Sequence, residues 1–182
     1  LKLDGGGKLR LFLIEPEVSV SISGLTIQHG YVSGERGGGI YNLGTMTIQN
    51  SIVAYNSADE GGGIYNAQGT LIINNSIFEG NRQDTSNGSG AGIYNNAGHL
   101  SIDGSTFNNN VSRDNNGAAV TNKNGTASIL DSTFTNNHSW GGTICNLEGN
   151  LDVANSLFTD NSADSNGSRI FHYIGLLTIT NS

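Results

Sequence analysis

Carboxylates are the side chains of this sequence whose spacing could support catalysis. Asp103 and Asp131 fall close in register in two successive copies of an internal repeat, and Asp152 follows in the next copy at a different position. Hydrolysis of a glycosidic bond needs two carboxyl groups about 5 to 9.5 Å apart in one cleft. No basic residue accompanies these acids, and no paired-Asp, Gly-His-Gly or Arg-x-Lys motif is present. We therefore interpret them as solvated surface acids and predict no catalytic residue, with polysaccharide cleavage as the alternative.

Side chains that bind metals are scattered along the chain. The four histidines occupy different positions of the repeat: His29, His99, His138 and His172. None has a second histidine or a cysteine at the spacing of a metal site. Cys145 is the only cysteine, which excludes an intrachain disulfide. The sequence therefore predicts neither a metal nor another cofactor.

Three tyrosines form an aromatic row with candidate binding properties. Tyr41, Tyr65 and Tyr94 each follow an apolar residue that the repeat directs inward, so they should point outward over about 10 Å. Stacking between neighbouring strands is the favoured interpretation, and a strip that binds sugar or protein is the alternative. The row continues with Thr121, Cys145 and Phe171. In this row Cys145 is interpreted as an inert thiol, with a crosslink between chains as the alternative.

Insertions between repeats should collect on one edge of the fold. They fall at 31–37, 57–60, 82–90, 111–117, 138–140 and 162–168. Repeat proteins often place recognition on the edge where insertions gather. The candidate partner-binding residues on this edge are Arg36, Arg82, Arg113 and Trp140.

An internal repeat must position all of these residues. The run GGGIYN at 37–42 returns at 61–66 and again as AGIYNN at 91–96, and weaker copies follow. Its apolar member recurs after 24, 29, 27, 24 and 26 residues, at Ile40, Ile64, Ile93, Val120, Ile144 and Ile170. A repeat of this length indicates stacked units that cannot bury their apolar faces alone.

Each copy contains three short runs with a period of two, which is typical of strands. These are the GGxIYN run, an alternating run such as Thr45–Ile48, and an S-x-F-x-x-N run. Units of about 26 residues with such short corners favour a coil in which each strand pairs in parallel with its copy one turn later. The sequence therefore predicts an all-β parallel β-helix, or β-solenoid, with three short strands per coil and about seven coils. Residues 1–182 should form one domain, with 1–30 as a variant first coil and 31–182 as the repeats.

Equivalent residues should stack in columns along this solenoid. Two further inward columns accompany the one above: Ile48, Ile73, Ile102, Ile129, Val153 and Ile179, and Val53, Phe78, Phe107, Phe134 and Phe158. Asparagine marks two corner columns: Asn42, Asn66, Asn95, Asn122 and Asn146, and Asn56, Asn81, Asn110, Asn137 and Asn161. Stacked Asn side chains can bond to one another, and Asn tolerates the left-handed backbone of a sharp corner.

Composition limits the classes of partner. Charged residues make up 13% of the chain, the net charge is −7, and the eight Lys and Arg residues are scattered, which argues against binding to nucleic acid. The sequence contains no run of about 20 apolar residues, so it predicts no transmembrane helix. Because the chain opens in a strand-like run and closes in a repeat, we expect a segment of a longer protein.

The pairing of G-G-x-I with F-x-x-N resembles the repeats of the chlamydial polymorphic outer membrane proteins. The GGGIYN run, followed by a segment such as GTMTIQNS at 44–51, is similar to large surface repeat proteins of other bacteria. The resemblance covers nearly the whole chain and implies a right-handed, single-stranded parallel β-helix that is exported and displayed at the cell surface. It supplies no catalytic residue, because the shared motifs are structural.

These observations give a leading hypothesis of a non-enzymatic structural or adhesive repeat module of a bacterial cell-surface or extracellular protein. End-to-end assembly into a filament is a related hypothesis, because the strands of both ends expose unpaired edges. The expected partners are the chain itself, neighbouring coils of a longer chain, or a host or cell-surface protein or glycan. The alternative function is a carbohydrate-binding or carbohydrate-cleaving β-helix.

Overall fold

The fold is a parallel β-solenoid of seven coils. The computed structural model describes residues 1–85, 88–113, 116–164 and 168–182. Within these ranges every regular element is a β-strand, and the strands of each sheet follow one another coil by coil. The fold class, the parallel pairing and the number of coils agree with the prediction. The same residues contain no apolar helix of membrane-spanning length.

Three sheets of seven strands form the walls. Sheet 1 contains β1 (Lys2–Asp4), β4 (Thr26–Gln28), β7 (Ile52–Ala54), β11 (Ile77–Glu79), β15 (Thr106–Asn108), β19 (Thr133–Thr135) and β23 (Leu157–Thr159). Sheet 2 contains β2 (Phe12–Ile14), β5 (Ile40–Asn42), β9 (Ile64–Ala67), β13 (Ile93–Asn96), β17 (Gly117–Lys123), β21 (Gly142–Leu147) and β25 (Ser168–His172). Sheet 3 contains β3 (Ser19–Ser23), β6 (Thr45–Gln49), β10 (Thr70–Asn74), β14 (His99–Asp103), β18 (Thr126–Leu130), β22 (Asn150–Ala154) and β26 (Leu177–Thr180).

A fourth, smaller sheet lies in the insertions and was not predicted. Its strands have only two residues each: β8 (Ser57–Ala58), β12 (Arg82–Gln83), β16 (Val111–Ser112), β20 (His138–Ser139) and β24 (Ser162–Ala163). Two residues are too few to show a period in the sequence. Five of the six predicted insertions therefore begin with a strand of this fourth sheet, and the insertion at 31–37 makes a single bridge to it between Tyr31 and Ser57. Residues 86–87, 114–115 and 165–167 of the predicted insertions lie outside the described ranges.

The pairing register confirms the inward columns. In sheet 1, Phe78 pairs with Phe107 and Phe107 with Phe134. Their rings stack with centroids 4.8 and 5.0 Å apart, and Phe134 stacks on Phe158 at 4.8 Å. The aliphatic columns of sheets 2 and 3 pair as expected. These columns form one continuous core, which burial of apolar surface stabilises coil by coil.

Both asparagine columns form hydrogen-bonded ladders, as predicted. In the first ladder each Nδ2 donates to Oδ1 of the next Asn at 2.7 Å, from Asn42 to Asn146. Asn146 Nδ2 then lies 3.0 Å from His172 Nδ1. In the second ladder, from Asn56 to Asn161, the corresponding distances are 2.9 to 3.1 Å. The ladders satisfy buried corner amides that water cannot reach.

The left-handed backbone of the corners does not fall on the ladder asparagines, which corrects the sequence interpretation. At the second ladder it falls one residue earlier, for example at Tyr55 and Asn109. At the first ladder it falls two residues later, for example at Gln68 and Asn124. The ladder asparagines bond inward, and a separate neighbouring residue turns the chain.

A serine ladder lines the third corner and was missed from the sequence. The backbone N–H of Ser76 donates to Ser105 Oγ at 3.1 Å, and that hydroxyl donates to Asp103 O at 2.9 Å. The same pair of bonds recurs at the corresponding corner serines: Ser51, Ser132 and Ser156. This explains the serine that opens each S-x-F-x-x-N run.

Candidate functional site

A groove lies on the edge where the insertions gather. It encloses about 690 Å³, which is within the usual range of ligand sites. We call it the loop-edge groove, and its principal lining residues are Arg10, Glu35, Arg36, Tyr41, Asp59 and Glu60. Arg36 and Tyr41 are thus the two predicted partner-binding residues that the structure brings into one groove.

The tyrosine row stacks beneath this edge. The centroid of Tyr65 lies 5.2 Å from that of Tyr41 and 5.1 Å from that of Tyr94, with nearly parallel rings. The row packs as a cluster separate from the main core, so it points outward from the coil. However, Tyr65 and Tyr94 are only 1% and 4% exposed, and Tyr41 is half-buried. Tyr41 is therefore the member of the row that a partner can reach.

Two arginines cover the row. The guanidinium of Arg10 lies 5.2 Å from the ring centroid of Tyr41, and that of Arg36 lies 5.2 Å from the centroid of Tyr65. Arg10 donates to Glu35 Oε2 at 2.9 Å, and Arg36 donates to Glu60 Oε2 at 2.6 Å. The bonds and the stacking fix both guanidinium groups in place.

The electrostatics of the groove are largely balanced within it. Glu35 and Glu60 each form an ion pair with one arginine. Asp59 is the third acidic residue that lines the groove, and it forms no ion pair with a described residue. Burial, with the charge of Glu60 adding to it, raises the pKa of Tyr65, and burial also raises that of Tyr94. Both phenols therefore stay neutral at physiological pH. The groove presents paired donors and acceptors to a ligand.

The other predicted partner-binding residues lie on the same edge but in other coils. Arg82, in β12, pairs with Asp84, and its side chain is partly exposed. Arg113 and Trp140 are exposed just after β16 and β20. The structure thus spreads these three residues along the solenoid and does not gather them into the loop-edge groove.

Two of the three carboxylates weighed for catalysis lie at the corner after sheet 3. Asp103 pairs with Leu130, and Asp131 occupies the adjacent left-handed position. Asp152 pairs with Ser128 on the outer face of sheet 3. Among the described residues no group of three or more His, Cys, Asp or Glu side chains is arranged to hold a metal ion.

Cys145 continues the tyrosine row as a buried thiol, paired in register with Thr121 and Phe171. Burial raises its pKa to about 12. We expect the native protein to react with a disulfide reagent at pH 8 at least about a thousandfold more slowly than an exposed thiol, because little thiolate forms and access is blocked. The control is a Cys145→Ala, Thr159→Cys variant, whose thiol lies at an exposed position. Equal rates for the two proteins would contradict the burial of Cys145.

Sequence reasoning missed Arg10, Glu35 and Glu60. Arg10 precedes the first recognisable repeat, but Phe12 pairs with Ile40, so extending the register backwards places Arg10 on the same edge. Glu35 and Glu60 lie in or beside insertions, where no repeat motif marks them. Neither a protein-family model, nor a curated protein, nor a solved structure matches this chain.

Proposed function

We propose that this chain is a non-enzymatic structural and adhesive rod module of an exported bacterial surface protein. The observation that carries the proposal is the uninterrupted stacking of equivalent residues through seven coils, with open strand edges at both ends. The resemblance of its G-G-x-I and F-x-x-N motifs to surface repeat proteins supports an extracellular location. The module would serve as a stiff spacer, and the insertion edge would contact a host or cell-surface protein or glycan.

The last coil presents an apolar end that another coil would cover. Phe158 and Ile170 are half-buried there, and Ile179 is 49% exposed. They surround a recess of about 430 Å³. Within the described part of the chain, strands β23, β25 and β26 each pair with a strand on one side only. Apolar side chains at an unpaired sheet edge favour pairing with a further strand.

The first coil has apolar residues in the same columns. Leu3 belongs to the phenylalanine column, because it pairs with Ile27 and Ile27 pairs with Val53. Phe12 and Ile22 begin the columns that end at Ile170 and Ile179. A second copy stacked head to tail would therefore continue all three long sheets, as would neighbouring coils of a longer chain.

End-to-end pairing can be tested with two variants of the same strand. We expect sedimentation of the wild-type chain to show association that rises with concentration, and electron microscopy to show rods longer than the roughly 34 Å of seven coils. Ile179→Lys should abolish association, because it places a charge in the apolar end. Thr178→Lys, on the outer face opposite Asp152, should leave association intact. A wild-type chain that stays monomeric at millimolar concentration would contradict end-to-end pairing.

The proposal that this chain is not an enzyme is tested separately. In the loop-edge groove, Glu35 and Glu60 are each held in an ion pair with an arginine, which supports a binding role. We expect no depolymerisation of plant or bacterial polysaccharides by the wild-type chain. Turnover that Asp103→Asn abolishes would support a carbohydrate-cleaving enzyme instead.

A further inference from the structure

The second asparagine ladder is incomplete at the last coil. In the coil before it, the backbone N–H and the Nδ2 of Asn137 donate to Asn161 Oδ1 at 2.9 and 3.0 Å, and Nδ2 also donates to Phe107 O at 2.9 Å. Asn161 Nδ2 donates to Phe134 O at 2.8 Å, but its backbone N–H and the second bond of its Nδ2 find no acceptor among the described residues. In the earlier coils both donors meet the Oδ1 of the next asparagine.

The serine ladder also ends in the last coil with a donor left over. Ser182 Oγ accepts from the backbone N–H of Ser156 at 3.0 Å, as each corner serine does from the coil before it. Within the described ranges no hydroxyl group accepts from the N–H of Ser182 in turn. A partner that removes water from this end must supply acceptors at both ladders, because buried polar groups in proteins are hydrogen-bonded.

The first coil has glycine where the second ladder has asparagine. Counting on from the pairing of Asp4 with Gln28, Gly6 and Gly30 fall in this column. Gly30 contributes its backbone N–H, which donates to Asn56 Oδ1 at 2.7 Å. Glycine has no side-chain acceptor. A second copy stacked on the last coil would therefore place Gly6 against the open end of the second ladder and leave its donors unsatisfied.

The first coil lacks the other corner groups as well. Leu25 occupies the serine column, where its N–H donates to Ser51 Oγ at 3.2 Å. Ile14 pairs with Asn42 in the first asparagine column. At the last coil His172 replaces asparagine in that column, so the second ladder and the serine ladder carry the selection of a partner. The two ends of the solenoid are therefore alike in their apolar columns and differ in their corner chemistry.

We propose that the C-terminal end of the solenoid is a docking surface for a partner whose docking segment is a coil of this repeat, with asparagine in the second-ladder column and serine in the serine column. Its inward side chains would fill the recess between Phe158, Ile170 and Ile179, and its strands would extend the three long sheets. Its Asn Oδ1 and Ser Oγ would accept from Asn161 and Ser182. This inference rests on the proposed function, because it names the partner that the apolar end selects over a second copy.

Two peptides of equal length separate this partner from a second copy. Residues 133–156 carry Phe134, Asn137 and Ser156 in the required columns. Residues 2–25 are the coil that a second copy would present, with apolar residues in the same inward columns and no asparagine or serine at the two ladders. Because both peptides offer apolar side chains and strand edges, a difference in affinity reports on the ladder groups.

The isotope-labelled full chain is titrated with each peptide by NMR, under reducing conditions and at a concentration where sedimentation shows a monomer. We expect 133–156 to bind at least about tenfold more tightly than 2–25, and to move the amide proton of Asn161 downfield as it gains an acceptor. In the 133–156 peptide, Asn137→Ala should abolish that shift and weaken binding by about tenfold. Thr135→Ala is the matched control on the outer face of the same strand and should change neither.

Two variants of the full chain locate the binding site. Ile179→Lys places a charge in the apolar recess and should prevent binding of 133–156, whereas Thr178→Lys, on the outer face, should not. Equal affinity for the two peptides, binding that survives Ile179→Lys, or no binding of 133–156 at millimolar concentration would overturn the proposal. A chain that stays monomeric in sedimentation and still binds 133–156 would contradict pairing between copies alone, so the two failures are distinguishable.

Discussion

Asn110→Asp is expected to destabilise the protein by about 3–5 kcal/mol at neutral pH, the range for an uncompensated buried charge. Asn110 is fully buried, and its Nδ2 donates to Phe78 O and to Asn137 Oδ1, both at 2.9 Å. Aspartate has no N–H, so its carboxylate would face two acceptors in the core. Urea denaturation, monitored by circular dichroism, measures this loss in the free energy of unfolding.

The loss should depend on pH in a defined direction. Burial among acceptors raises the pKa of the new carboxyl in the folded state above its unfolded value of about 3.9. Relative to the parent chain, the destabilisation should be smallest below about pH 4, where the carboxyl is protonated in both states, and should grow as the pH rises. Asn109→Asp makes the same change one residue earlier at an exposed corner, and should alter stability by less than about 0.5 kcal/mol. Similar losses for the two variants would mean that the ladder contributes nothing specific.

Phe107→Ala is expected to cost about 3–5 kcal/mol, because it opens a cavity in the middle of the aromatic column. Phe107 is fully buried and stacks on Phe78 and Phe134 at 4.8 and 5.0 Å. Phe158→Ala is the matched control, since Phe158 is half-buried and stacks on Phe134 alone among the described rings. It should lose about 1–2 kcal/mol. Chemical denaturation of both variants measures the difference, and equal losses would show that the column is not continuous.

The columns could be predicted from sequence because each reports a single geometric constraint. In a parallel stack every coil offers the same environment at a given position. The same residue type therefore recurs there, as phenylalanine does at Phe78, Phe107 and Phe134. The asparagine ladders are visible for the same reason. The position of the left-handed residue was misplaced, because asparagine suits both a ladder and a turn and the sequence alone does not separate the two roles.

Features that involve the insertions could not be predicted. The insertions differ in length from coil to coil, so no column marks Glu35 or Glu60, and no motif indicates that Arg36 covers Tyr65. The outward direction of the tyrosine row follows from alternation, but its burial depends on what folds over it.

The two asparagine ladders give the solenoid a polarity along its axis. Every amide nitrogen along them points toward the following coil, so the small dipoles add along the axis instead of cancelling, and neighbouring bonds polarise one another. The series starts at Asn42 Oδ1, a buried oxygen that no described group bonds. A coil joined in reverse would bring like amide groups together, whereas a coil that carries asparagine in the same column and is joined in the same sense after the last coil would extend the ladder. A coil that adds to either end along this axis should therefore have the same polarity as the coils that it joins.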